Sequence, residues 1–273
     1  DAAGGDATTG PGGLLNHSGD IRNTNPLLDP LGLQNNGGPT QTIALQANSP
    51  AVNHGDGSFA PERDQRGYLP VNTRDIGAFE LGALLAPITT ASAKGAFSVN
   101  FPLTGPHGIE PRAGTPSGSY QLTMSFATPV TMTGAAVQSG VGMVGSFTAT
   151  GSQATVNLTG VGNAQHLVVR LNNVNDTVHT NNIDIPMDIL IGDTNADRFV
   201  DAADTAQTKS QSGKAIDETN FREDVNADGL IDAVDVALVK SKAGTALTGP
   251  DIGPVTKPPH SPARGSRERG FAR

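Results

Sequence analysis

Two stretches of this 273-residue chain, DTNADRFVDAAD (193–204) and DVNADGLIDAVD (224–235), place oxygen-bearing side chains identically. Places 1, 3, 5, 9 and 12 are Asp193, Asn195, Asp197, Asp201 and Asp204 in the first stretch. They are Asp224, Asn226, Asp228, Asp232 and Asp235 in the second. Four carboxylates within twelve residues repel one another unless a cation neutralises them. Calcium takes six to eight oxygens, and a twelve-residue loop supplies them from these places plus the backbone carbonyl of place 7. Place 7 is Phe199 in one loop and Leu230 in the other. The spacing therefore predicts one calcium ion in each loop, two in all. A single D-x-N-x-D is a common accident. Two copies with acids at places 9 and 12 are not, and the metal-free alternative, a pair of acidic turns, leaves those acids uncompensated.

The repeat is longer than the loops. Residues 193–213 align without gaps to 224–244, and each copy ends in a glycine, Gly213 or Gly244, a common helix stop. Val234, Ala237 and Leu238 stand at i, i+3 and i+4, which predicts an apolar helix face. Ala203, Ala206 and Gln207 make a weaker face in the first copy. DETNFRE (217–223) predicts a short helix behind Asp217 as N-cap. The apolar residue at place 8, Val200 or Ile231, is expected to pair across to the other loop. Place 12 is Asp, not the Glu of a standard EF-hand loop, so its carboxylate must approach more closely. Place 6 is Gly229 in the second loop but Arg198 in the first, where a positive φ costs ~1 kcal/mol. The first site is therefore expected to be weaker or more strained. No entering helix is predicted before either loop.

Upstream, within a domain at 87–191, residues 96–191 alternate at period two. Tyr120, Leu122, Met124 and Phe126 share one face, as do Val156 and Leu158, and Leu167, Val169 and Leu171. Ile183, Ile185, Met187, Ile189 and Ile191 do the same. Turn-like GTPSGS, TGSQ and GVGNAQ separate these strands, predicting an antiparallel, Ig-like β-sandwich. Pro186 predicts an edge position for the last strand. Residues 1–86 are turn-rich, without helical period. Arg63, Asp64, Arg66, Arg74, Asp75 and Glu80 are expected to form a structural charge network there. Residues 247–273 are Pro-rich and basic and predict a disordered tail. The fold class is mainly β, followed by a small α-helical module at 192–246.

Several function classes are excluded or disfavoured. The chain has no cysteine, hence no disulfide, thiolate nucleophile or Cys-based zinc site. A net charge of -8 argues against nucleic acid as the main partner. No apolar run reaches the ~18 residues of a membrane helix. The start lacks Met and any signal-type segment, and reads as a fragment or a mature C-terminal portion. GVGMVG (140–145) matches a dinucleotide fingerprint, but SFTATGSQATVNLTG after it is β-like. The six histidines are scattered, without H-E-x-x-H, and NHGDG reads as a turn. No residue pair stands out as a glycosidase carboxylate pair, and this chain is read as non-catalytic.

A duplicated calcium loop with an exiting helix, carried by GDTNADRFVDAADTAQTKSQSG and EDVNADGLIDAVDVALVKSKAG, resembles a dockerin module of F-hand type. The resemblance implies two calcium ions and a cohesin-like partner module or cell-envelope component. The partner face it implies lies at loop places 10 and 11 and in the following helix: Ala202, Ala203, Lys209 and Ser210, and by repeat symmetry Ala233, Val234, Lys240 and Ser241. The family typically has Ser or Thr at places 10 and 11, where this chain has Ala-Ala and Ala-Val. NTNPLLDPLGLQNNGGPTQTIALQANSPAVNHGDG with RDQRG and RDIGAFE (23–80) is similar to the end of a right-handed parallel β-helix in large bacterial surface proteins of the choice-of-anchor and polymorphic outer-membrane types. It implies a cap or last turn at 1–86, with the rungs upstream.

These readings converge on a calcium-dependent attachment region of a secreted or cell-surface bacterial protein. One alternative is the C-terminal part of a secreted polysaccharide-degrading enzyme, a glycoside hydrolase or lyase, with catalysis and polysaccharide contacts on upstream rungs. Another is a calcium module that clamps the sandwich and has no partner.

Overall fold

Alternation at period two becomes two packed sheets in a computed structural model, which describes residues 21, 24–56, 62–103, 106–114 and 116–248. The expected disordered tail falls, from residue 249 on, outside the described residues, as does much of the segment before residue 24. Nine strands follow in chain order: β1 Thr89–Lys94, β2 Phe97–Asn100, β3 Ile109–Glu110, β4 Tyr120–Ser125, β5 Gly134–Ser139, β6 Met143–Thr150, β7 Gln153–Thr159, β8 Gln165–Asn175 and β9 Thr180–Ile189. One sheet runs β2-β1-β4-β7-β6 and the other β3-β9-β8-β5. All pairs are antiparallel except β3 with β9, so the second sheet is mixed.

The predicted inward faces meet in the core. Leu122, Val156, Leu167, Val169, Leu171, Ile185, Met187 and Ile189 are all fully buried. Ile191 is only partly buried, because β9 ends at Ile189 and Leu190 turns into a second cluster with Ile109, Val200, Val225 and Val239. That one-residue change of phase carries the chain from the sandwich to the duplicated-loop module. Pro186 departs from expectation: β9 lies between β3 and β8, not at an edge. The proline is tolerated because two-residue β3 pairs only with Asp188 and Ile189, leaving Pro186 with a strand partner on one side alone.

Before β1 the described chain forms isolated bridges, Leu28–Leu45, Gln34–Thr42 and Leu69–Leu84, in place of strands. Of the charged residues expected to form a network, Asp64, Arg66, Asp75 and Glu80 interlock, while Arg63 donates to the Gly67 and Pro87 carbonyls. Arg66 pairs with Asp64 at 2.6 Å and donates to the Glu80 carbonyl, while its guanidinium lies 3.8 Å from the Phe79 ring centroid. Asp75 accepts from the Asn53 and Leu81 amides. Tyr68 enters the sandwich core and donates to Asp176, which fastens the segment to the sandwich.

Candidate metal centre

After β9 the two repeats each close a loop and enter a ten-residue helix, α1 (Ala202–Gln211) and α2 (Ala233–Lys242). Place 9 is the N-cap of each helix. Asp201 accepts from the Ala203 amide and Asp232 from the Val234 amide, and the place-12 acids Asp204 and Asp235 bond back to the N-cap amides. The boundary signals that fix the helix start are thus also the last two acids of each loop. Gly213 and Gly244, at φ +81 and +88, follow the C-caps, the left-handed position where glycine ends a helix without strain. DETNFRE is tighter than expected. Asp217 opens a turn by accepting from the Thr219 amide, and only a three-residue 3-10 turn, Phe221–Glu223, follows.

Within each loop the side chains at places 1, 3 and 5 turn inward by the same hydrogen bonds. Asp193 accepts from the Asp197 and Arg198 amides at 3.1 and 3.0 Å. Asp224 accepts from Asp228 and Gly229, both at 3.1 Å. The Asn195 amide nitrogen donates to Asp197 at 3.2 Å, and that of Asn226 to Asp228 at 2.8 Å. Asp204 and Asp235 accept the Asn195 and Asn226 amides, closing place 12 onto place 3. Phe199 and Leu230 point outward, consistent with place 7 offering its carbonyl and not its side chain.

The acids at places 1 and 12 are buried as well as gathered. Asp193, Asp204 and Asp235 are fully buried and Asp224 nearly so. Burial pushes the Asp193 carboxyl up to about 7, with repulsion from Asp204 and Asp197 adding and the Arg198 amide opposing. Asp224 and Asp235 are raised in the same way, burial first. Each loop offers carboxylate and amide oxygens without sulfur or imidazole. That donor set, desolvated and self-repelling, fits a hard cation of the calcium type. The capping bonds leave room for it, since each carboxylate oxygen has a second lone pair.

The expected helix faces need correction. Val234 and Ala237 are exposed, Val234 at 56%, and Leu238 is half-buried. The buried residues of α2 are Asp235 and Val239, and those of α1 are Asp204 and Thr208. The place-12 acid must face the loop, so the residue one turn later follows it inward, and the apolar stripe faces outward. Ala202, Ala203, Lys209, Ser210, Ala233, Val234, Lys240 and Ser241 are all exposed. Val200 shares a buried cluster with Val225 of the opposite loop, but its backbone bonds to Gly244 and Thr245, and the Ile231 carbonyl accepts from Gly213. The repeats therefore clasp just behind each other's helices. Thr194 and Val225, at place 2, are buried and were missed, since that place carries no ligand signal.

The module is fastened to the sandwich. Phe221 stacks on Phe97 with centroids 5.5 Å apart, and the Ala113 amide donates to the Val225 carbonyl at 2.6 Å. Within the module, Arg222 ties the turn before the second loop to the first by donating to the carbonyls of Asp193 and Thr194. Arg198 has the expected positive φ, +73, and its guanidinium reaches Asp188 on β9 at 3.2 Å. Two of the six histidines are not scattered in space: His107 and His166 converge on the same Asp188. Sequence spacing could not show this, because it depends on the β8–β9 register and on the turn before β3.

Residues 191–243 match the family model described as the dockerin type I domain. Dockerin type I domains bind calcium and dock to cohesin modules. No curated protein and no solved structure matches the chain. Among the described residues, no helix is long and apolar enough to cross a membrane.

Proposed function

We propose that residues 192–246 hold two calcium ions and dock this chain to a cohesin-like module or cell-envelope component outside the cell. The ligands would be Asp193, Asn195, Asp197, the Phe199 carbonyl, Asp201 and Asp204, and Asp224, Asn226, Asp228, the Leu230 carbonyl, Asp232 and Asp235. Bound calcium supplies the positive charge that lets these gathered acids, four of them buried, ionise together. The protein's own part is to cap each helix and to hold its first turn at a fixed angle to the loop.

One observation carries the docking reading: the apolar and Lys-Ser residues at the start and end of both helices are exposed in matched positions. Their symmetry allows either helix to meet the partner, in two modes related by a pseudo-twofold rotation. The Phe221–Phe97 stack, the Ala113–Val225 bond and the Arg198–Asp188 pair also support a clamp on the sandwich, so in this reading docking and clamping share one unit. In this reading residues 1–86 are the cap of an upstream β-helix, 87–191 a sandwich spacer, and the chain does not itself catalyse. A polysaccharide-degrading activity would belong to the upstream rungs.

The test is capture from the envelope or secretome of the source organism, with and without chelator. Docking requires a cohesin-like partner retained only with calcium and lost in the Lys209→Glu, Lys240→Glu double variant. Retention in chelator, or in the double variant, would refute it. Glycosidase or lyase activity in the purified chain would refute the non-catalytic assignment.

A further inference from the structure

We propose that His107, His166 and Asp188 form a site for one divalent transition ion of the zinc class, separate from the calcium loops. His166 and Asp188 are direct cross-strand neighbours on β8 and β9. His107 comes from the segment before β3, which is held in place where the Asp188 amide donates to the Gly108 carbonyl at 3.3 Å. One potential ligand atom from each residue lies within 4.8 Å of the other two. His166 Nδ1 is 2.7 Å from Asp188 Oδ1, and His107 Nδ1 is 3.6 Å from the same oxygen.

Those distances decide the chemistry. Nitrogen and oxygen ligands about 2.0–2.2 Å from a tetrahedral ion stand roughly 3.4 Å apart. The values 2.7 and 3.6 Å bracket that spacing, so small side-chain rotations would admit an ion. A simple ion-pair cluster explains less. Arg198 already balances the Asp188 charge through Oδ2, at 3.2 Å. A second imidazole faces Oδ1 from 3.6 Å, beyond hydrogen-bond reach, so no hydrogen bond accounts for its placement there.

The arrangement has the parts of a metal site. Asp188 is buried, and Arg198 holds its far oxygen, so the near oxygen is presented as a single oriented ligand. Two imidazoles and one carboxylate select zinc, copper or nickel over calcium. The imidazole side chains keep 19 and 29% exposure, which leaves a side open for water as fourth ligand. An ion there would join β8, β9 and the turn before β3. Through Arg198 it would also brace the first calcium loop.

The test uses the full chain, stripped with chelator and then saturated with calcium so that the loops are filled. Zinc is titrated by calorimetry, and cobalt is added separately to read the visible bands of a tetrahedral ion. One zinc equivalent is expected. Loss of one ligand should weaken binding by more than the ~10–100-fold typical of losing an outer-shell partner. His107→Ala and His166→Gln should each show this loss and abolish the cobalt bands, whereas His54→Ala should leave both unchanged. Thermal melts with calcium alone establish that each variant is folded. Absence of zinc binding in the calcium-saturated protein overturns the proposal. So does binding that survives both histidine variants. Neither result bears on calcium-dependent docking.

Discussion

Arg198, at place 6 of the first loop, donates its guanidinium to Asp188 on β9 across 3.2 Å, while its own backbone sits at φ +73. The second loop has Gly229 there, at φ +94, which has no side chain to tether. Two loops with matching internal hydrogen bonds are therefore unlike in setting. At place 6 the first accepts backbone strain and a bond to β9, and the second has neither; at place 4 both carry an alanine at positive φ, Ala196 at +61 and Ala227 at +57.

Replacing this side chain separates the two effects. Arg198→Ala keeps the positive φ and leaves Asp188 without its cation, which should cost about 1–3 kcal/mol. Arg198→Gly loses the same bond but removes the strain, and should be less destabilising by about 1 kcal/mol. Denaturant unfolding of both variants with calcium would check the order. Equal stability would mean that φ at this place stores no strain.

The first acid of each loop should matter unequally. Asp224→Ala should destabilise the module more than Asp193→Ala, by about 1 kcal/mol. The second loop closes at place 6 with a glycine and so without strain there, and the first is supported by Arg198 and Arg222 even when weakened. Circular dichroism melts with calcium should show the difference; a reversed order would contradict it.

Val234 tests which helix face is buried. At 56% exposure, Val234→Asp should change stability by no more than about 0.5 kcal/mol while weakening partner capture. Val239→Asp, at a fully buried position of the same helix, should prevent the module from folding. A large loss in Val234→Asp would restore the core face expected from periodicity.

The calcium-free and calcium-bound forms should respond oppositely to pH. In the free protein Asp193 titrates at about 7, against 3.8 as the ordinary value, and Asp224 and Asp235 shift upward too. Between those limits the folded state holds protons that the unfolded chain has released. This contribution to stability is full below about pH 4 and disappears as pH rises through about 7. With calcium the acids must be ionised, so stability should rise over the same window. Melting curves at pH 5 and 8 with chelator and with excess calcium would show trends of opposite sign. Trends of the same sign would contradict this.

Much of this was legible in sequence because both β alternation and loop spacing are short-range. Leu122, Val169 and Ile185 could be placed inward from period two alone, and the N-caps Asp201 and Asp232 from loop spacing. Periodicity puts the wrong face of α2 inward because it assumes that the core is apolar. Here an acid, Asp235, takes the inward position, and Val234 turns to solvent. The convergence of His107, His166, Asp188 and Arg198 joins four separate segments and had no short-range signal. Residues 24–56, with isolated bridges in place of strands, gave no period to read.

Calorimetric titration of the chelated full chain with calcium tests the central claim most directly. The account predicts two equivalents, with affinity on the order of micromolar or tighter, falling to one in either Asp193→Ala or Asp224→Ala. One or no equivalent in the unmodified chain would contradict it.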